Sequence, residues 1–285
     1  MTKTLYIEMS KITVQNINIM PLKISPVNYD PLHRESEITV IDENLLANYV
    51  AHIALGYSFH VRKILLKKYA GTIIYKDHMI DNAIQTLTVP KGKDPWRRDG
   101  WVFQMISWIS IYLENDKETL LTQQPHDAPG QHGIDGLAVV FDDKDQIKTI
   151  IITEDKCSHS PRNVITTQIW PEFEAFEEGK FDNKMVSRIS TMLNHIDEQT
   201  ALDMVNKDIF RYEIRQYRVG ITPLPVHKGT KGRGILFEDY EKKVKGDDVS
   251  RRCAATLETP DIRKWMEDFS LKVIAVLNSK RTLHV

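Results

Sequence analysis

Residues 133–156 read Gly-Ile-Asp-Gly-Leu-Ala-Val-Val-Phe-Asp-Asp-Lys-Asp-Gln-Ile-Lys-Thr-Ile-Ile-Ile-Thr-Glu-Asp-Lys. Two apolar, β-branched runs at 136–141 and 148–153 flank the polar segment 142–146. Runs of this kind, separated by a short Asp-rich connection, predict an antiparallel hairpin. A turn centred near residues 144–145 sets residue 135 opposite residue 154. Side chains alternate faces along a strand, so Glu154 and Lys156 share a face and Asp155 takes the other. A directly opposed pair also shares a face, with Cβ atoms roughly 5 Å apart. The hairpin therefore gathers Asp135, Glu154 and Lys156 at one end of one surface. A slip of one residue would undo this, and the apolar alternation resists it.

Working outward, residues 101–114 predict a helix with Val102, Met105, Ile106, Ile109 and Leu113 on one side. A short strand is expected over 118–123, followed by a Gly/Pro/His loop over 125–133. Beyond the hairpin, helices are expected over 164–176 with a bend near Pro171, over 183–195 and over 198–207. A strand-like run at 212–223 precedes a Gly-rich segment at 229–234, a short strand at 235–237 and an amphipathic helix at 261–277. Before residue 95, extended runs at 4–7 and 12–20 lead to Pro21, Pro26 and Pro31, and Asp42 is placed to cap a helix. The breaker-rich stretch 89–100 is the softest connection, dividing an N-terminal elaboration, 1–95, from a core, 96–285. The order of helix, three strands, helix and strand predicts a mixed α/β sheet with an antiparallel hairpin at its centre, flanked by helices.

Composition narrows the function. The chain has 285 residues, 41% hydrophobic and 27% charged, which is ordinary for a globular protein. A net charge of −1 gives little overall attraction for a polyanion, so nucleic-acid binding must come from local patches or a partner. No signal peptide and no apolar run long enough to span a membrane are visible, and a cytoplasmic protein is expected. Two cysteines, Cys157 and Cys253, without paired spacing exclude a disulfide framework and a four-cysteine zinc site.

The chemistry follows from the hairpin. Two ionised carboxylates at this separation repel, and a hard divalent cation offsets the repulsion. Mg²⁺ takes one or two carboxylates plus water and phosphate oxygens; it polarises phosphoryl oxygens and acidifies bound water. The ammonium of Lys156 can orient water or neutralise charge developing on phosphorus. A bare Glu-x-Lys is a common surface ion pair; Gly133–Gly136 together with the hairpin geometry gives the tripeptide its meaning here.

The pattern Gly133-Ile134-Asp135-Gly136, strand, turn, strand, Glu154-Asp155-Lys156 resembles the PD-(D/E)xK nuclease superfamily. More narrowly, residues 126–193 resemble the HamA family, the nuclease subunits of Hachiman-type anti-phage defence systems. The resemblance implies a restriction-endonuclease-like αβββαβ core with Asp135, Glu154 and Lys156 as the catalytic set. It implies Mg²⁺ as cofactor, with Mn²⁺ an alternative, DNA as substrate and a superfamily 2 helicase as partner. It also offers Glu114, ending the helix before the strands, to the metal shell and Gln168 to the site or the DNA backbone, against the alternatives of an exposed acid at a helix terminus and a surface glutamine. The proline of the superfamily's name is missing, and Ile134 stands in its place. The alternative is a catalytically inactive nuclease fold acting as a binding or regulatory subunit; a purely structural adaptor is the third class.

Other candidates are weaker. Lys228, Lys231 and Arg233 in the Gly-rich segment could cradle phosphate, and Trp96-Arg97-Arg98 could touch nucleic acid. Against these stand a solvated loop and a boundary loop whose Trp packs inward. His126 and His132, in the loop before Gly133, are expected to border the site and not to bind zinc, because no matching Cys/His group accompanies them.

Overall fold

The computed structural model describes residues 20–281 apart from Asp30, Tyr69, Ala70, Lys117 and His132. The extended run expected at 4–7, and all but the last residue of that at 12–20, lie outside the described residues, as does His132. The hairpin forms in the expected register. Strand β4 (Gly136–Phe141) pairs antiparallel with β5 (Ile147–Lys156), Gly136 opposite Thr153, which carries residue 135 to the level of residue 154. The Asp142 carboxylate fixes the turn by accepting the backbone N–H groups of Lys144 and Gln146, at 2.8 and 2.9 Å. Asp145 takes the left-handed conformation, φ 58°, which Asp tolerates better than most residues. A bulge at Val140/Phe141 absorbs the odd residue next to this turn.

Seven strands form one mixed sheet. Strands β1 (Leu22–Val27) and β2 (Arg34–Val40) pair antiparallel at one edge. β3 (Thr119–Thr122) pairs antiparallel with β4 at the other. Between them β5, β6 (Arg215–Ile221) and β7 (Arg252–Leu257) run parallel, and β2 joins β7 in parallel, giving the order β1-β2-β7-β6-β5-β4-β3. The strands of residues 20–40 thus extend the sheet that carries the hairpin.

Helices cover both faces. On one side pack α1 (Glu43–Ala54), α2 (Ser58–Leu65), α3 (Asp77–Leu87), α4 (Trp96–Glu114) and α11 (Ile262–Arg281), sharing a core with Ala138, Val140 and Ile151. Asp42 caps α1 as expected, its carboxylate accepting the Leu45 N–H. On the other side lie α5 (Pro161–Val164), α6 (Trp170–Glu177), α7 (Asp182–Met192), α8 (Glu198–Asp208), α9 (Gly229–Leu236) and α10 (Tyr240–Lys243). Leu137, Val139, Ile150 and Ile152 face their core. β4 and β5 are buried on both faces, which is why they read as nearly continuous apolar runs. Each fully buried isoleucine contributes about 1.5–3 kcal/mol, enough to make a register slip costly.

Three expectations are corrected. The Gly-rich segment 229–234 is helix α9, and no strand forms at 235–237. Glycines lower helix propensity, but at Gly232 a Cβ would collide with the His227 backbone, so the residue serves close packing. The last strand is β7, whose Arg-Cys-Ala-Ala-Thr-Leu carries too weak an alternation to be seen. Residues 96–100, read as part of a loop, are the first turn of α4. The expected bend near Pro171 takes the form of a π-helical segment, Ile165–Ile169, that joins α5 to α6 without a break. Proline has no N–H to donate one turn back, and a wider turn accommodates that loss.

Arg233 lies at the centre of the α9 packing with its side chain fully buried, reaching Glu35 and Glu258 at 2.6 Å each and Thr256 at 3.2 Å. It is a structural cation and is not available to a phosphate. Arg233→Ala would strand the buried Glu35 carboxylate, a loss of about 3–5 kcal/mol for a broken buried pair. Thermal unfolding is expected to show Tm lowered by on the order of 10 °C; a change of a degree or less would contradict this role.

Candidate active site

Asp135, Glu154 and Lys156 meet on the face covered by α5 and α6. The Lys156 ammonium donates to Asp135 Oδ2 at 2.7 Å and to Glu154 Oε2 at 3.0 Å. Because one nitrogen touches both, the two carboxylates lie within about 6 Å of each other, inside the span of a hydrated Mg²⁺. The Asp155 backbone N–H donates to the same Asp135 oxygen at 3.2 Å, fixing that carboxylate against the end of β5. Gln104 of α4 holds the chain just before β4 by donating to the Asp135 carbonyl at 2.7 Å, and its own oxygen accepts the His126 N–H at 3.2 Å.

Exposure is graded across the cluster. Glu154 is 1% exposed, whereas the Asp135 and Lys156 side chains keep 16% and 25%. Glu154 Oε1 is buried with no hydrogen-bond donor among the described residues. Burial, reinforced by the charge of Asp135, pushes the Glu154 carboxyl well above the usual carboxylate range. Burial opposes the charge on Lys156, but Glu154 and Asp135 outweigh it and hold the ammonium protonated well above its ordinary range.

A fourth member was missed by the sequence reading. Glu172, half-buried on α6, lies near enough for Lys156, Asp135 and Glu154 all to act on its carboxyl. Burial raises its pKa, and the nearby Asp135 charge adds to this against the pull of Lys156. Glu172 sits one helical turn beyond Gln168, so helical spacing could have found it. The intervening π segment, which sets where α6 points, leaves no such trace in the sequence beyond Pro171.

The other face of β5 carries a separate network. Asp155 Oδ1 accepts from Ser107 Oγ at 2.6 Å; Arg218 of β6 donates to Ser107 at 2.8 Å and to Ser110 at 2.7 Å. Gly220 lies beside Asp155 in the parallel register, and a Cβ there would overlap the Asp155 carboxylate. Glu114 belongs to this network. Both its oxygens are taken by Arg218, at 3.0 and 3.1 Å, on the side of the sheet opposite Glu154. The structure does not bring it to the cluster, contrary to the expectation that it would join a metal shell.

Gln168 is exposed on the π segment and shows no hydrogen bond to the cluster among the described residues. Lys228 is exposed and paired with Glu258 at 3.1 Å, and Lys231 is exposed. Trp96 does not pack inward: it is 51% exposed with Arg97 stacked over it, while Arg98 is buried against Asp99. His126 borders the site through Gln104. Neither cysteine offers a thiolate at neutral pH: burial, with Asp99 for Cys157 and Glu114 for Cys253, pushes both up to about 12.

The donor set fits a hard cation only in part. Among the described residues no three His, Cys, Asp or Glu side chains converge at metal-binding distance. Mg²⁺ needs only one or two carboxylates, however, and completes its shell with water and phosphate. Asp135 together with the unpartnered Glu154 Oε1 meets that requirement. Comparison with family models and with curated proteins returns no match to this chain.

Asp155 supplies a test of the electrostatics. Burial raises its carboxyl from 3.8 to about 7, against the lowering effect of Arg218 and Ser107. A carboxyl raised in the folded state contributes stability that is fully present below its unfolded pKa and lost as pH rises through the folded value. Unfolding free energy of the metal-free chain should therefore fall between about pH 4 and pH 7. Asp155→Asn should flatten that slope in denaturant titrations at stepped pH; an unchanged slope would contradict the assignment.

Proposed function

We propose that this chain is a Mg²⁺-dependent nuclease, hydrolysing phosphodiester bonds of DNA on a restriction-endonuclease-like αβββαβ core. The observation that carries the reading is the convergence of Asp135 and Glu154 on one ammonium, with a buried, unpartnered Glu154 oxygen beside it. The element order α4, β3–β5, α5–α6, β6 supports the core assignment. Asp135 and Glu154 would hold the ion, which supplies Lewis-acid polarisation of the phosphoryl oxygen and an acidified water.

The chain's own groups account for the rest. Lys156 carries a fixed positive charge at the open side of the cluster, where charge develops on phosphorus. Glu154, deep and short of cations, favours any ligand that brings positive charge. The Asp155 N–H and Gln104 hold Asp135 at the strand end, so the carboxylate is oriented before substrate arrives.

The resemblance to the HamA family extends the proposal to an anti-phage effector in the cytoplasm, controlled by a helicase subunit. Charge supports partner dependence: 38 Lys and Arg against 39 Asp and Glu leave no general attraction for DNA. Arg233 and Arg98 are buried and Lys228 is paired, which removes three of the candidate phosphate contacts. No helix among the described residues is long and apolar enough to cross a membrane.

Glu154→Ala combined with Lys156→Ala removes a buried charge pair as a unit, so stability should change little. Plasmid cleavage in Mg²⁺ should fall by about 10²-fold or more. Unchanged cleavage, or a Tm lowered by tens of degrees, would reject the catalytic assignment. Separately, the chain alone at near-physiological salt should bind duplex DNA weakly, with Kd of roughly 10⁻⁶ M or above. Nanomolar binding with rapid cleavage would overturn helicase dependence and leave the chemistry standing.

A further inference from the structure

A cavity of about 700 Å³ lies apart from the carboxylate cluster. It opens beyond the β3 edge of the sheet, between α2, α7 and the loop that precedes Asp135, and none of Asp135, Glu154 or Lys156 lines it. Its size suits one nucleotide, since pockets for small ligands run from about 300 to 1,000 Å³.

The chemistry of its wall is specific. Arg62 and Arg188 both line it. Arg188 is exposed and has no acidic partner among the described residues. Among the described residues Arg62 makes one long contact, to the Leu120 carbonyl at 3.5 Å, and its Nε is buried without a partner. Phe59 also lines the cavity and is 61% exposed, an unusual state for a large apolar ring and a ready platform for a planar base. Gln123 and Gln131 add side-chain amides, which can donate and accept at base edges. Asp127 is the one acid in the lining and can accept from an exocyclic amine.

We propose that this cavity is a nucleotide-binding site, stacking a base on Phe59 and holding a phosphate with the Arg62 and Arg188 guanidiniums. A guanidinium with one buried, unpartnered nitrogen and a second, unpaired guanidinium on the same wall favour an anion, and Arg matches phosphate geometry with paired donors. An exposed aromatic ring and flanking amides select a heterocycle attached to that anion over a simple carboxylate or an acidic peptide.

The site is coupled physically to the cluster. Gln123 lines the cavity and donates to the Ile134 carbonyl at 3.2 Å. His126 also lines it and is tied through Gln104 to Asp135. The ligand is either one unit of a substrate strand or a free nucleotide. The strand version rests on the nuclease reading; the free-nucleotide version does not.

The test uses the full chain in EDTA, where metal-dependent cleavage is silent. AMP, inorganic phosphate and a labelled tetradeoxyadenylate are titrated into wild type, Phe59→Ala and Arg188→Ala by calorimetry and fluorescence anisotropy. Both side chains are exposed, so Tm should hold in the variants. AMP or the oligonucleotide should bind, weakened roughly tenfold by Arg188→Ala and about fivefold or more by Phe59→Ala. AMP binding identifies a free-nucleotide site; binding of the oligonucleotide alone identifies a strand subsite. Three results would overturn the proposal: no binding of either ligand, binding indifferent to both substitutions, or phosphate binding as tightly as AMP regardless of Phe59. Because no step requires cleavage, these results stand apart from the fate of the nuclease reading.

Discussion

The contact of Gly136 with Thr153 fixes the register on which the chemistry depends. A Cβ at Gly136 would press to 3.2 Å from the Thr153 Cβ, so the smallest residue stands at this cross-strand pair. From that pair, the period of two assigns every neighbouring side chain to a layer. Asp135, Glu154 and Lys156 go to the α5–α6 side, and Asp155 goes to the α4 side. A slip of one residue would carry Asp135 to the opposite face and bury the apolar set of β4 against the wrong helices. Core packing and site assembly are therefore one constraint: the isoleucines that hold the register also hold the carboxylates together.

The two faces of β5 handle buried acid in opposite ways. On the α4 side, Asp155 and Glu114 share the Arg218 guanidinium and two serine hydroxyls, a closed network with its donors engaged. On the α6 side, Asp135 and Glu154 share the Lys156 ammonium, Lys184 acts on Glu172 only through space, and one Glu154 oxygen has no donor among the described residues. The first arrangement suits a structural role, while the second leaves negative charge under-compensated next to solvent. Such an imbalance is costly in a merely structural cluster and useful where a cation or a polyanion with its counterions must bind.

Local signals made the centre of this fold legible. The hairpin register, the Asp42 cap and helices α4 and α11 all follow from periodicity and capping within a few turns of chain. What escaped depended on distant partners. Arg233 looked like a phosphate cation because nothing near it in sequence announces Glu35, almost two hundred residues away and joined to it at 2.6 Å. Glu114 was placed with the metal by position on its helix, yet Arg218 on β6 claims both its oxygens. Glycines disguised α9 as a loop, and β7, buried among neighbours, needed no alternation to be a strand. Glu172 lay within reach of helical spacing from Gln168, but the π segment that sets the direction of α6 left no sign of which of the two faces the cluster.

The most direct test of the central claim is the anomalous diffraction of a crystal soaked in Mn²⁺, used in place of Mg²⁺. A single strong peak is expected between the Asp135 and Glu154 carboxylates, with the Lys156 ammonium moved off at least one of the two oxygens it now touches. A peak at some other position with Asp135 and Glu154 unchanged, or no peak at a Mn²⁺ concentration that supports cleavage, would contradict it.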